Sequence, residues 1–154
     1  MERTCVLLKP DALQRGLLGE IVHRFERKGL QIVGCKMMQI SDVVIDEHYA
    51  QYREKPFFGR LKEFMQSAPI VALVLEGVDA IETVRTLLGS TKGRTAPAGT
   101  IRGDFAMSLQ SNLIHASDAR ETAEQEIMRF FRPEEIFSYE KADGCWVYAE
   151  EERK

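Results

Sequence analysis

The sequence predicts an α+β fold in which four strands form an antiparallel sheet. Short apolar runs alternate with segments of helical spacing, in the order strand, helix, strand, helical hairpin, strand, helix, long loop, strand, helix. Without the inserted hairpin this order is βαββαβ followed by a helix, which is typical of the ferredoxin-like split with its helices on one face of the sheet. A length of 154 residues is that of one domain, so we expect a single domain over residues 1–154.

Composition and charge narrow the class of protein. Hydrophobic residues make up 44% and charged residues 29% of the chain, and no apolar run approaches the roughly 20 residues that cross a bilayer, so we expect no membrane association. A net charge of −3 without a basic block gives no support for nucleic acid as the primary ligand. Cys5, Cys35 and Cys145 are widely spaced and no signal-peptide pattern precedes them, which favours reduced thiols in the cytoplasm.

The first strand, Thr4–Lys9, is mostly apolar and ends before Pro10. A lysine at the last position of a buried strand directs its charge into the cleft above the strand ends, although a solvated strand terminus explains Lys9 equally well. A helical segment follows and stops at Gly29. A second strand is predicted over Leu30–Ile40.

The middle of the chain contains the inserted helical hairpin. Ser41 opens a helical segment that runs through Tyr52, and a second helix covers Phe57–Gln66 after a break at Pro56. The clearest strand is Pro69–Glu76, an almost continuous apolar run. Such a run predicts a strand that is central in the sheet.

The second half of the chain begins with a helix that we expect Asp79 to cap. The stretch Gly89–Gly99 is irregular, and a loop of this length within a compact domain is usually functional or disordered. The final helix is predicted over about Ala119–Phe131. The tail, Ile136–Glu150, is too aromatic to be disordered, so we expect it to pack along the body or against another subunit.

A short apolar run before His115 predicts a buried strand end that delivers this histidine to the start of the final helix. Ser117 and Asp118 are suitable N-caps, and Glu121 completes a capping-box pattern with Asp118. The positive end of a helix favours the neutral form of a neighbouring imidazole, which is a nucleophile. On position alone, a core or surface histidine is the more common explanation.

Several well-known catalytic motifs are missing from the sequence: the P-loop, the dinucleotide fingerprint, the His-Glu-x-x-His zinc motif and the Gly-x-Ser-x-Gly elbow. The histidines, His23, His48 and His115, are not spaced as metal ligands. What remains is His115 together with cations, a hydroxyl and an amide at element ends or in the long loop. Phosphoryl transfer needs mainly such groups, because the protein positions the phosphates and neutralises their charge. These residues are Lys9, Arg85, Thr91, Arg102 and Asn112.

The chain resembles the nucleoside diphosphate kinases. Asn112–Asp118 is similar to that family's active-site signature, and further similar segments follow one another over nearly the whole chain. They are Thr4–Asp11, Gln14–Leu17, Glu20-Ile21, Arg24–Glu26, Lys55–Phe58, Gly99–Phe105 and Pro133–Glu135.

The resemblance implies a ping-pong reaction. The γ-phosphoryl of a nucleoside triphosphate, mainly ATP, would pass to His115 as covalent nucleophile and then to a nucleoside diphosphate, which maintains nucleoside triphosphate pools. Glu126, with Ser117 nearby, would fix the tautomer of the ring, and Lys9 would also serve catalysis. Phe57 and Leu109 would stack on the base, which explains tolerance of purines and pyrimidines. The implied nucleotide-binding residues are Lys9, Tyr49, Phe57, Arg85, Thr91, Arg102, Leu109 and Asn112.

The resemblance also implies Mg²⁺ as cofactor, held mainly by substrate phosphates and water, with no metal-ligating residue in the chain and Asp118 at most an outer contributor. It suggests a homo-oligomer, a hexamer in preference to a tetramer. The sequence departs from the family pattern at Gly93, Ala98 and Ala119. Because two of these lie in the long loop, they bear on assembly.

Two other functions stay open at the level of sequence. A nucleotide-binding or regulatory module could retain the same residues without turnover, because one fold hosts many functions. RNA binding on the sheet face is opposed by the acidic balance of the chain.

Overall fold

The computed structural model describes residues 1–152, and residues 153 and 154 lie outside the described part of the chain. Its strands are β1 (Glu2–Leu8), β2 (Gln31–Met38), β3 (Ile70–Gly77) and β4 (Ile114–Ala116). They form one sheet in the order β2-β3-β1-β4, in which each neighbouring pair is antiparallel. The predicted α+β, ferredoxin-like arrangement is confirmed.

The helices include three short ones that were not predicted from the sequence, α1 (Pro10–Gln14), α6 (Ile101–Phe105) and α8 (Gly144–Val147). They have five, five and four residues, which is too short for a helical period to show in the sequence. In residues 1–152, none of the helices combines the length and apolar character that a membrane crossing needs. The helices are α1 (Pro10–Gln14), α2 (Leu18–Lys28), α3 (Asp42–His48), α4 (Phe58–Gln66), α5 (Ala80–Leu88), α6 (Ile101–Phe105), α7 (Arg120–Phe130) and α8 (Gly144–Val147).

Helices cover both faces of the sheet, so the expectation of helices on one face is wrong. Val6 and Leu8 of β1 belong to one buried cluster, together with apolar residues of α2 and α5. Leu7 points the other way and belongs to a second cluster with Ile45 of α3 and Phe130 of α7. Alternate residues of a strand face opposite sides, and the inserted hairpin and α7 provide the second cover.

The start of α5 is capped by a distant residue. Asp79 occupies the N-cap position with a φ of 47°, and its side chain makes no capping hydrogen bond to the described residues. The Ile81 N–H instead donates to Glu2 Oε2 at 2.9 Å. The prediction that Asp79 caps this helix is wrong, because its left-handed backbone replaces the extended conformation usual for a capping residue.

The tail packs along the body of the protein, which was one of the two arrangements expected from the sequence. The Phe137 N–H donates to the Val33 carbonyl at 2.7 Å, and the Tyr139 hydroxyl donates to the Ile32 carbonyl at 2.8 Å. These bonds occupy the outer edge of β2. Trp146, in contrast, is 88% exposed.

Candidate active site

A tight turn before β4 fixes the backbone around which the site is built. Leu113 has a φ of 74°, and the Ile114 N–H donates to the Asn112 carbonyl at 2.9 Å. This is the geometry of a classic γ-turn, which is rare and strained. The fully buried Leu113 donates its N–H to Asp11 Oδ2 at 3.0 Å, and its carbonyl accepts the Lys9 N–H at 2.8 Å. Contacts from the other end of the chain therefore hold the turn.

Lys9 follows β1 directly and is buried in the site. Its Nζ donates to Asn112 Oδ1 at 2.7 Å, and the residue is only 8% exposed. Burial and, to a smaller extent, the nearby Arg102 lower the pKa of Lys9 to about 8, although Asp11 acts to raise it. The expectation that Lys9 enters a cleft rather than solvent agrees with this burial.

Arg102 of α6 is a second buried cation. Its guanidinium donates to the Ile114 carbonyl at 2.6 Å and to the Gly89 carbonyl at 3.0 Å. Burial lowers the pKa of Arg102 to about 10, and the charge of Arg85 contributes. Within residues 1–152, no carboxylate forms an ion pair with Lys9, Arg85 or Arg102. Buried cations without anionic partners favour an anionic ligand.

His115 lies in β4 and contacts Glu126 from the middle of α7. The distance from His115 Nε2 to Glu126 Oε1 is 2.8 Å, and the Ser117 hydroxyl donates to Glu126 Oε2 at 2.6 Å. Burial acts to raise the pKa of Glu126, but the hydrogen bond from His115 and further interactions bring it below its ordinary value. Because a carboxylate only accepts, we assign the ring proton to Nε2, which leaves the Nδ1 lone pair free.

The cap that the sequence predicted for the final helix is wrong. Ala119 is the N-cap residue of α7, and no side chain in the described chain caps it. Ser117 is committed to Glu126, and Asp118 and Glu121 are both exposed. His115 therefore lies inside a strand, and its partner is a helix side chain rather than a helix terminus.

His48, at the end of α3, is a residue of the site that was not predicted from the sequence. Its ring centroid lies 4.6 Å from that of His115 at 82°, and its Nδ1 lies 3.6 Å from Glu126 Oε1. Burial lowers the pKa of His48 to about 3, and the proximity of His115 contributes. In the described part of the chain neither ring nitrogen has a hydrogen-bond partner. The sequence signal for its burial is its position three residues after Ile45 on an amphipathic helix.

A row of aromatic rings leads from His115 to the surface. The Tyr49 ring centroid lies 6.4 Å from that of His115, Tyr52 lies 6.1 Å from Tyr49, and Phe57 lies 5.5 Å from Tyr52. Tyr49 is buried, whereas Phe57 is 40% exposed. Tyr52 was not predicted, because its place between the two other rings follows only from the helical corner.

Asn112 connects the remaining predicted residues. Its amide donates to the Thr91 carbonyl at 3.0 Å and to the Leu109 carbonyl at 2.9 Å. The Leu109 side chain is 62% exposed. Arg85 and Asp118 line a common polar cleft of about 580 Å³, and within residues 1–152 the lining of this cleft does not include Lys9, Arg102 or His115.

The comparisons with known proteins agree on one family. A family model described as nucleoside diphosphate kinase matches residues 2–136. A nucleoside diphosphate kinase of Parabacteroides distasonis is 55% identical over 152 residues, with 99% of both chains covered, and one of Archaeoglobus fulgidus is 52% identical over 150 residues, with 97% of this chain and 99% of the other covered. The solved structure of a halophilic nucleoside diphosphate kinase of Halobacterium salinarum in complex with CDP has a TM-score of 0.94 and 47% identity, covering 96% of this chain and 99% of that one. The chain therefore belongs to the nucleoside diphosphate kinase family of phosphotransferases.

Proposed function

We propose that the chain is a nucleoside diphosphate kinase that works by a ping-pong reaction through a phosphohistidine on His115. It transfers the γ-phosphoryl of a nucleoside triphosphate, mainly ATP, to a nucleoside diphosphate and so maintains nucleoside triphosphate pools. One observation carries the proposal. The 2.8 Å hydrogen bond to Glu126 occupies one ring nitrogen of His115 and leaves the other to act as a nucleophile. Lys9 donates to Asn112, and Arg102 donates to the carbonyl of Ile114, the residue before His115.

The reaction consists of two in-line transfers. The Nδ1 lone pair of His115 attacks the γ-phosphorus, and the bond between that phosphorus and the bridging oxygen breaks, so the nucleoside diphosphate leaves. The phosphorylated ring is positively charged, and Glu126, held by Ser117, stabilises that charge through the Nε2 proton. In the second transfer a terminal oxygen of the acceptor diphosphate attacks the phosphorus and restores the free ring.

The nucleotide would lie between the cations and the aromatic row. Lys9, Arg102 and Arg85 would neutralise phosphate charge. Phe57 and Leu109, both exposed, would stack on the two faces of the base. The remaining groups would orient phosphate and sugar or line the site: Tyr49, Thr91 and Asn112.

A kinase that acts on nucleotides needs a divalent metal ion, and we propose Mg²⁺. The cations of the site fit phosphate oxygens rather than a metal, so the phosphates and water would supply most of the ligands that Mg²⁺ prefers. The exposed carboxylate of Asp118, in the cleft of Arg85, fits contact through water. When bound, the ion would reduce the charge repulsion between the phosphates and the attacking group.

We also propose that residues 1–154 form one cytoplasmic domain that assembles into a homo-oligomer, a hexamer in preference to a tetramer. The free cysteines of residues 1–152 agree with a reducing compartment. Phe137 and Trp146 expose 64% and 88% of their surface, which supports burial against another subunit. A mass from light scattering tests the assembly.

Incubation with γ-labelled ATP and Mg²⁺ tests the function. We expect acid-labile, base-stable label on the protein, and transfer of that label to added GDP. The variant His115→Gln should take up none, whereas His23→Gln, which changes an exposed histidine on α2, should be labelled normally. A folded wild-type protein that binds ADP but takes up no label would be a nucleotide-binding module, and the proposal would fail.

A further inference from the structure

We propose that His48, His115 and Glu126 form an inhibitory site for a borderline-soft divalent ion such as Zn²⁺. A ligand-type atom of each residue lies within 4.8 Å of those of the other two. Two imidazoles and one carboxylate are a common ligand set for zinc sites that keep an open fourth position. Binding of the ion is independent of the proposed function, whereas its inhibitory effect rests on the proposed role of His115.

The two imidazoles approach the same carboxylate oxygen. His115 Nε2 lies 2.8 Å and His48 Nδ1 lies 3.6 Å from Glu126 Oε1. Ligand atoms of a tetrahedral zinc ion are about 3.3 Å apart, as follows from metal–ligand distances of about 2.0 to 2.1 Å. The pair that includes His115 must therefore open by about half an ångström, and the pair that includes His48 must close by less. The ligand nitrogens of the two imidazoles, which lie within 4.8 Å of each other, must also come to about 3.3 Å.

The surroundings already orient the ligands. The Ser117 hydroxyl donates to Glu126 Oε2 at 2.6 Å and leaves Oε1 for the ion, which is the kind of outer contact that supports metal-bound carboxylates. His48 is packed edge-on against Tyr49 and Phe130. Its nitrogens have no hydrogen-bond partner among residues 1–152, so an ion would satisfy a buried polar group.

The site should discriminate between metals. The side chains of His48 and Glu126 are 1% and 4% exposed, so an ion between them gives up most of its water. Mg²⁺ prefers oxygen ligands and usually keeps several waters, whereas Zn²⁺ accepts imidazole nitrogen in a four-coordinate site. We therefore expect Zn²⁺ to bind in the presence of excess Mg²⁺.

A bound ion would change the proton on the nucleophile. Coordination at Nε2 of His115 displaces the proton that now lies between this nitrogen and Glu126. That proton moves to Nδ1 of the same neutral ring, so the net proton count is unchanged. Nδ1 then carries a hydrogen and no longer has the lone pair that attacks phosphorus.

Metal binding is measured first, without activity, on the variant Cys35→Ser/Cys145→Ser, which removes the two exposed thiols. Zn²⁺ affinity comes from competition with a chromogenic chelator, and Co²⁺ absorption reports tetrahedral nitrogen and oxygen ligation. We expect one site per chain, weakened about tenfold or more by His48→Gln and left unchanged by the matched surface variant His23→Gln.

The partly exposed His115 provides a second variant, because His48→Gln changes a buried residue and could prevent folding. His115→Asn should likewise weaken Zn²⁺ binding about tenfold or more, and a crystal of the protein with both histidines intact should show anomalous density for Zn²⁺ between the three residues. No binding, binding unaffected by both histidine variants, or an ion placed elsewhere would overturn the proposal.

Inhibition is measured separately as loss of label on His115 after addition of Zn²⁺ at constant excess Mg²⁺, with recovery after a zinc-selective chelator. Zinc binding at the three residues without inhibition would refute the inhibitory part. Absence of label even without Zn²⁺ would instead refute the proposed function and leave the metal site standing.

Discussion

Lys9 is a cation that the folded protein holds at a cost. Its pKa falls from 10.5 to about 8 because it is buried, and because Arg102 is close. Between these two pH values the unfolded chain carries a proton that the folded chain has lost, so the stability of the folded state rises with pH in that window. Below about pH 8 the cost of burying the charge is present in full.

The pH dependence of stability tests this view of Lys9. Compared with Lys9→Met, the ligand-free wild-type protein should gain about 2 kcal/mol in free energy of unfolding between about pH 7.5 and about pH 9.5. Urea unfolding of both proteins at the two pH values measures the difference, in which the other titrating groups largely cancel. Saturating ADP should reduce the gain, since phosphate charge favours the protonated lysine. A difference that is constant with pH would contradict the assignment.

The effect of the negative charge of Glu126 can be tested separately from the effect of its hydrogen bond to His115. Glu126→Gln keeps an acceptor for His115 Nε2 but removes the negative charge that stabilises the phosphorylated ring. A charge-assisted hydrogen bond contributes about 1.5 to 3 kcal/mol, so we expect single-turnover phosphorylation by ATP to slow by about ten- to a hundredfold. Glu124→Gln, on the exposed side of the same helix, is the control and should react at the wild-type rate.

At the scale of elements, the cap of α5 joins the N-terminal strand to the helix that carries Arg85. Glu2 supplies the carboxylate that accepts the Ile81 N–H. We expect Glu2→Ala to lower the free energy of unfolding by about 1 kcal/mol, as the loss of an N-cap does. The matched variant Asp79→Gly should be neutral or slightly stabilising, because Asp79 has a positive φ and no capping bond to the described residues. Chemical denaturation measures the free energy of unfolding of both variants. A larger loss of stability for Asp79→Gly than for Glu2→Ala would contradict the structure.

The long loop approaches the backbone of Ala106 closely at Gly93. Gly93 is buried, and a Cβ built on it would lie 2.4 Å from the Ala106 carbonyl oxygen. The departure from the family pattern at this position therefore coincides with a close backbone approach. The expectation that these departures bear on assembly stays a prediction.

The predictability of the elements follows from their length. The long periodic helices and the apolar strand β3 were predictable, because burial repeats over two or more turns or over many strand positions. The helices α1 and α6 have five residues and provide no period. The start at Ser41 and the stop at Gly29 were predicted correctly, whereas the caps of α5 and α7 were not. At α5 the reason is that Glu2 reaches the helix from another element, and local pattern rules consider only neighbouring residues.

The candidate site was predictable in its composition but not in its packing. From the residues alone, His115 and the cations at element ends indicated phosphate chemistry, and the family resemblance supplied Glu126 and the base-stacking pair. The contact between His48 and His115 joins residues on α3 and β4, and no local pattern encodes such a contact. The functional roles of the site residues stay predictions until the labelling experiments are done.

At the scale of the whole molecule, the tail covers one edge of the sheet. Beyond Phe137, the Tyr139 hydroxyl bonds to Ile32, Gln31 donates to the Tyr139 carbonyl, and the Tyr148 hydroxyl bonds to Gly29. These contacts cover the outer edge of β2 and the end of α2. An uncovered strand edge is a template for pairing with another chain.

Truncation after Ser138 tests the contribution of the tail. Loss of the three hydrogen bonds, at about 1 kcal/mol each, should lower the free energy of unfolding by about 2 to 3 kcal/mol. Faster hydrogen exchange should appear in β2 but not in β1, which has neighbours on both sides. Thermal unfolding and exchange measured by mass spectrometry provide the test. Unchanged stability would show that the tail contributes nothing to the fold.

The γ-turn at Leu113 couples the alignment of the His115 imidazole to the cooperative folding of the chain. Its strain, of order 1 to 3 kcal/mol, persists only while partners more than a hundred residues away, such as Asp11, remain docked. A partly unfolded chain that releases its first thirty residues would let this peptide relax and would misalign the imidazole. Loss of turnover in denaturant should thus coincide with global unfolding, without an active intermediate.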